Sequence, residues 1–210
     1  MPRLSSVFAR MLCLASCALA ACHPSSTPER PDAGIPFSSP PPASTPPSLY
    51  AGPGATPFLQ VLARGTQTYT CVFTDGGSAA WGAAVPDATL DAALPGGGAV
   101  GRHFAGPTWE WAADKSTFVG SKVAAEGFAS IPSPDDAGAN VPWLLLPRKT
   151  GTDGGMLAPA TFVQRLNTQG GMVTNQPLGC DAAAADAGRV VRVPYRATYV
   201  FYRNAAAGGR

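Results

Sequence analysis

Apolar and polar positions alternate with a period of two over short runs of this chain, and a helical period is scarce. Gly, Pro and Thr recur every few residues from 58 to 203, which stops helices before they can propagate. The β-prone runs are 58–63, 66–74, 118–126, 143–146, 161–167 and 190–202. In the last of these, Val191, Val193, Tyr195, Ala197, Tyr199 and Phe201 share one face, with Arg192, Arg196 and Thr198 opposite. That is the pattern of a strand with one buried side. Pro194 has no N–H for a ladder, so it implies an edge position or a bulge. Many short strands joined by Gly/Pro turns predict an all-β fold, a single antiparallel β-sandwich or barrel-like domain with long loops.

The N-terminal residues follow another pattern. Residues 1–10 carry Arg3 and Arg10 and no acid, and residues 11–21 are uncharged and mostly apolar. These are the n-region and h-region of a secretory signal, too short for a permanent membrane span. Leu19-Ala20-Ala21-Cys22 closes the run and resembles the lipobox of bacterial lipoproteins, whose cysteine is lipidated and becomes the new N-terminus. Leu14-Ala15-Ser16-Cys17 is a rival, but it leaves an h-region shorter than the usual minimum of about seven residues. An ordinary secretory signal with Cys22 left free is the plainer alternative. Eleven of the 35 residues from 23 to 57 are Pro, a composition that cannot bury enough apolar surface to fold. The expected organisation is a signal over 1–21, lipidated Cys22 with a linker over 22–57, a β domain over 58–203 and a disordered tail over 204–210. Membrane attachment through Cys22 follows. His23 stands where inner-membrane lipoproteins of diderm bacteria usually carry Asp, so the resemblance implies an outer-membrane location.

Charge removes one class of partner. Loss of Arg3 and Arg10 with the signal leaves thirteen basic and thirteen acidic side chains, with no Lys/Arg cluster. Nothing here predicts nucleic-acid binding. Export also bears on the cysteines. Cys71 and Cys180 are the two in the expected domain, and in an oxidising compartment two such cysteines most simply pair. Alternation puts Tyr69, Cys71 and Phe73 on one face, the more apolar one.

Four segments stand out: Gly101-Arg102-His103-Phe104-Ala105-Gly106-Pro107-Thr108-Trp109-Glu110, Val141-Pro142-Trp143-Leu144-Leu145-Leu146, Val163-Gln164-Arg165-Leu166-Asn167-Thr168-Gln169-Gly170-Gly171, and Val193-Pro194-Tyr195 leading to Tyr199-Val200-Phe201-Tyr202. With Gln67-Thr68-Tyr69-Thr70-Cys71 and Gly179-Cys180-Asp181, they resemble the family catalogued as domain of unknown function 3455, in order, from about Leu62 to Arg203. The resemblance implies an exported domain with two matching cysteines and implies no activity. The chain departs from the family at Trp111-Ala112-Ala113-Asp114-Lys115, where an Asp-Gly turn is usual.

Candidate chemistry is sparse. Gly96-Gly97-Gly98-Ala99-Val100-Gly101 fits G-x-G-x-x-G, but Pro95 precedes it and neither a strand leading in nor a helix leading out is expected, so it reads as a loop. No Walker loop, nucleophile elbow or H-E-x-x-H occurs. No cofactor is called for, and one His with scattered carboxylates makes no metal site. His103 and Glu110 flank a Gly106-Pro107 turn, with Asp114 nearby, and form a candidate acid/base pair. Trp109 and Trp111 share parity and could wall a ligand site or pack in the core. Arg165 could meet a ligand carboxylate, or bond to carboxylates or carbonyls within the domain. The leading expectation is a binding module for an envelope glycan, peptide or small ligand. An envelope hydrolase using His103 and Glu110, and a structural lipoprotein without a pocket, are the alternatives. Oligomeric state is left open by the sequence.

Overall fold

The computed structural model describes residues 45–73, 77–94, 96–174, 179–181 and 188–204. The expected signal over 1–21, Cys17, Cys22, the linker as far as residue 44 and the tail from 205 lie outside the described residues. Ten strands follow in chain order: β1 (Ala55–Phe73), β2 (Ala79–Trp81), β3 (Val85–Ala92), β4 (Ala99–Phe104), β5 (Thr108–Trp111), β6 (Thr117–Gly120), β7 (Ala129–Ile131), β8 (Trp143–Gly151), β9 (Phe162–Gly170) and β10 (Val190–Asn204). Every pairing between them is antiparallel. The all-β expectation is met, and the barrel form of it is the one adopted.

Closure comes from β1. It pairs with β3 on one side and with β10 on the other, and β3, β4, β5, β6, β8, β9 and β10 complete the ring. The ring therefore has eight strands, which removes the exposed edges of an open sheet. β2 prolongs the sheet beside the end of β1, and β7 pairs with the start of β8. The runs 58–63 and 66–74 merge into β1 because Gly65 continues the strand. A Cβ at Gly65 would strike the Asp87 carbonyl oxygen and Ala88, so glycine there lets β1 and β3 approach closely. Pro194 lies where β10 has β1 as its neighbour and β9 has not yet joined, which is a local edge.

Alternation fills the ring. Leu59, Val61, Leu90, Phe118, Val163, Tyr199 and Phe201 pack around Trp109. Trp109 meets Phe118, Tyr199 and Phe201 edge-to-face at 5.8, 5.2 and 6.2 Å between ring centres. Each such pair contributes about 0.5–1.5 kcal/mol beyond area burial.

A second cluster lies on the other face of β8 and β9. Leu49, Trp143, Leu145 and Leu166 form it. Trp143 is thus core, in this second cluster. Leu49 belongs to a short 3-10 turn, Pro47–Leu49, and is fully buried. Its carbonyl accepts a 2.6 Å hydrogen bond from Gln164 Nε2, while Gln164 Oε1 accepts one of 2.9 Å from the Tyr202 hydroxyl. Residues 45–57, assigned above to the linker, are therefore built into the fold, and β1 begins at Ala55. The cause is local: Leu49 is an apolar anchor in a Pro/Ser-rich stretch, and the buried Gln164 amide needs a partner.

The two ends of the ring differ. The β8–β9 connection folds over one end, burying Leu157 and Ala160. Arg148 holds it there, donating to the carbonyls of Leu157, Ala158, Ala160 and Thr152 at 2.7–3.3 Å. Asp114 assists, accepting from the Ser116 and Met156 amides at 2.8 and 2.7 Å. At the departure from the family pattern, Lys115 adopts φ 60°, the left-handed conformation that a glycine would take more readily. Cys71 on β1 is disulfide-bonded to Cys180, across 109 residues of sequence.

Candidate functional site

The end of the ring opposite the β8–β9 connection holds a cavity of about 310 Å³. Its position follows from strand parity. On β4 and β5, His103 lies directly opposite Trp109, and Arg102 opposite Glu110. Directly opposed residues share a face and neighbours along a strand alternate. His103 and Trp109 therefore point into the ring, while Arg102 and Glu110 point out.

His103 is buried with its ring stacked on Trp109, 4.1 Å between centres and 12° between planes. Its Nδ1 lies 2.9 Å from the Thr108 carbonyl oxygen. That contact assigns the proton to Nδ1 and leaves Nε2 as the basic nitrogen of a neutral ring. Burial lowers its pKa to about 3, against the opposing effect of the Thr108 carbonyl; Arg165 and Lys122 add to the lowering. His103 is thus neutral at ordinary pH.

Glu110 does not join it. Its carboxylate accepts from Arg102 Nη2 at 3.1 Å and faces Lys115 Nζ at 3.6 Å. The bond from Arg102 holds the carboxyl below its usual range. A His103–Glu110 acid/base pair is therefore not formed, since the ladder puts the two side chains on opposite faces. Asp114 is also committed elsewhere. Burial raises its pKa, but the hydrogen bonds from Ser116 and Met156 outweigh that and lower it.

The tryptophans share a face, as their parity implied, yet only one lines the cavity. Trp109 does, while Trp111 is buried toward the covered end. Trp109 is itself buried, with one face taken by His103 and its edges by other rings, so it offers no open platform for a sugar.

Arg165 reaches the cavity from β9. It shares the inward parity of Val163, and Gln164 and Leu166 point the other way. The polar run Gln164, Arg165, Asn167 is thereby divided, with Asn167 at φ 50° where the β9–β10 register shifts. Arg165 Nε donates to the Pro142 carbonyl at 2.9 Å. Among the described residues, no carboxylate lies within salt-bridge distance of Arg165.

Four further residues complete the site, and sequence reasoning passed over them. Lys122, exposed at the rim, is reached from the segment after β6. Burial of its ammonium and the nearby Arg165 charge lower its pKa. Tyr69 donates from its hydroxyl to the Gly171 carbonyl at 2.6 Å. Gln67 and Tyr199 line the wall, buried, and Gln67 Nε2 completes no hydrogen bond among the described residues. The Trp109 Nε1–H is likewise unpartnered. Burial raises the pKa of Tyr199, against the Arg165 charge and hydrogen-bonding contact of its hydroxyl with Tyr195 and Arg165. Gln67 was findable, because it shares the parity of Tyr69 and Cys71, and Tyr199 was already on the apolar face of β10. Lys122 carries no periodic signal.

The G-x-G-x-x-G run spans the end of the β3–β4 connection and the first half of β4: a strand does lead in, contrary to expectation, and an antiparallel strand rather than a helix leads out. Among the described residues, no group of three or more His, Cys, Asp or Glu could hold a metal ion.

No curated protein and no solved structure matches the chain. A family model described as protein of unknown function, DUF3455, matches residues 52–203, which take in all of the barrel but the last residue of β10, and the chain belongs to this family.

Proposed function

We propose that this chain is a lipid-anchored, exported binding module that holds a small molecule in the open end of its barrel. The observation that carries the reading is the cavity itself. Eight-stranded barrels either fill their interior with side chains or keep room for one small ligand. Here Trp109 fills the middle and about 310 Å³ is left at the mouth, at the small end of ligand sites. Its wall is largely apolar, from Val85, Pro107, Val141, Leu144 and Met172, and Arg165 and Lys122 line it too. Such a surface suits a compact ligand with an apolar body and a few polar groups better than a glycan stacked on an exposed ring. The anchoring part of the reading rests on the lipobox-like Cys22 and draws support from the Cys71–Cys180 disulfide, a feature of exported proteins.

A thermal-shift screen of the mature chain against small organic acids, amines, amides, short peptides and glycan fragments tests the binding reading. Val85 is exposed at the mouth, so Val85→Trp should block the cavity without disturbing the core. Hits should raise the melting temperature of the wild type and lose their effect in Val85→Trp. Hits that act equally on both forms would move binding elsewhere. Mass spectrometry of the mature N-terminus checks the anchor: a diacylglyceryl-modified Cys22 is expected, and an N-terminus at Cys17 or an unmodified cysteine overturns it.

A further inference from the structure

We infer that the cavity is specific for organic acids, with Arg165 grasping the carboxylate and Lys122 reinforcing it from the rim. This inference rests on the binding reading above and names its ligand class. Two cations line one cavity, and neither has a carboxylate within 4.0 Å among the described residues. Several of the described acids are engaged elsewhere. Asp91 pairs with Arg64, Glu110 with Arg102 and Lys115, and Asp114 and Asp136 accept from backbone amides. Asp87 is exposed, and its charge is felt at Tyr195.

The cations act on the same space. Arg165 influences Tyr69, Lys122, His103, Tyr195 and Tyr199, which places its charge at the focus of the site. Burial and Arg165 together make the Lys122 ammonium less comfortable, and a bound anion would relieve both. An uncompensated pair of positive charges in a low-dielectric cleft is an arrangement that an anion completes.

Carboxylate is favoured over phosphate by the donor set. Arg165 commits Nε to Pro142 and keeps its two terminal nitrogens, a planar fork that matches one carboxylate. A phosphate would ask for more donors than one fork and one rim ammonium supply. The apolar wall, with Val85, Pro107, Val141, Leu144 and Met172, then takes the body of the acid.

The test pairs each acid with its uncharged amide. Benzoate and 4-phenylbutyrate are titrated against benzamide and 4-phenylbutyramide by calorimetry and ligand-observed NMR, with inorganic phosphate as a third arm. The acids should bind at least about tenfold more tightly than the amides, and phosphate more weakly than either acid. Arg165→Gln should lose about tenfold or more for the acids and little for the amides. It also loses the Pro142 bond, so Lys122→Met, at the exposed rim, is measured beside it and should weaken the acids several-fold. Equal binding of acid and amide would overturn acid specificity and leave the binding reading standing. Tighter binding of phosphate than of the acids would overturn the carboxylate assignment. Binding of no probe at millimolar concentration would overturn both readings.

Discussion

Reducing the Cys71–Cys180 bridge should cost this domain about 4–5 kcal/mol. The bridge spans 109 residues. Loop-closure entropy for a loop of that length is about −16 cal/mol/K, or roughly 4.8 kcal/mol at 25 °C in the chain-entropy model. The native fold should lose little when the bond opens. Cys71 is held in place by its amide, which donates to the Arg189 carbonyl at 2.8 Å, and by its carbonyl, which accepts from the Gly188 amide at 3.0 Å. The loss therefore falls on the unfolded chain, which gains freedom. Urea unfolding with and without a phosphine reductant reads this directly. With m near 1–3 kcal/mol/M, the midpoint should fall by about 1.5–5 M. The slope m should rise on reduction, because an uncrosslinked unfolded chain exposes more surface. A Cys71→Ala/Cys180→Ala variant, without reductant, should reproduce the shift. An unchanged midpoint after complete reduction, confirmed by thiol titration, would refute the entropic argument. Free thiols before reduction would refute the bridge.

Leu49→Ala should lose about 2–4 kcal/mol in urea unfolding, because Leu49 is fully buried beside Trp143 and Leu166; Tyr50→Ala, at an exposed neighbour, should stay within about 0.5 kcal/mol, and equal losses would return residues 45–51 to the linker. Gly171→Ala should destabilise by about 1–3 kcal/mol more than Gly52→Ala, since both have positive φ but only Gly171 is crowded, by Tyr195, Val141 and Gln67; equal thermal shifts would contradict the packing at the cavity floor. Lys115→Gly should stabilise by about 0.5–1 kcal/mol in the same measurement, relieving its left-handed backbone at the cost of an exposed ion pair worth little; destabilisation would show that the Glu110 contact outweighs the backbone term. Burial lowers His103 to about 3, against about 6.5 in the unfolded chain, so the unfolded chain holds the extra proton between those values. The contribution of His103 is whole above about pH 6.5 and is lost as pH falls toward about 3, by up to about 1.4 kcal/mol per pH unit. Unfolding measured from pH 6 to 4.5 should show that slope in the wild type and a much flatter one in His103→Phe, and matching slopes would mean His103 is not buried neutral.

The long strands were legible because their alternation is strong. β10 carries aliphatic or aromatic residues along its whole inward face, and β1 does so at Leu59, Val61, Ala63 and Tyr69. β3, β4 and β5 were not, although they are three of the ring's eight strands. Their inward positions are Ala88, Leu90, Gly101, His103 and Trp109, so small and polar residues interrupt the apolar signal. The reason is spatial. Trp109 and the stacked His103 occupy the lumen beside Ala88, and a Cβ at Gly101 would strike the Glu110 carbonyl oxygen of β5. Parity explains the mixed fortune of the site residues. His103, Trp109 and Arg165 meet at the cavity because all three have inward parity. Glu110 was one position out of phase with them, and a one-residue offset in a strand changes the face. Sequence proximity across the Gly106-Pro107 turn suggested that His103 and Glu110 meet; register decides that they do not.

The unequal ends of the barrel carry the last step. At the covered end, polar groups are satisfied: Arg148 answers four carbonyls, and Asp114 and Ser116 answer the amides of Ser116, Met156 and Leu157. At the open end they are not. Gln67 Nε2 and Trp109 Nε1 are buried with no hydrogen bond among the described residues, and Arg165 and Lys122 line one cavity with no described carboxylate within 4.0 Å. Each unsatisfied buried donor costs about 1–3 kcal/mol. Leucine for Gln67 would remove that cost with a similar volume. A barrel shaped for stability alone would carry such residues at both ends. Local departures from the stability optimum are expected where a protein does its work. Buried unpartnered atoms also occur away from the cavity, at Thr45, Trp81 and Trp143, so it is the two cations without a carboxylate among the described residues, set against the satisfied Arg148 and Asp114 of the covered end, that argue for a ligand more strongly than the volume of the cavity does.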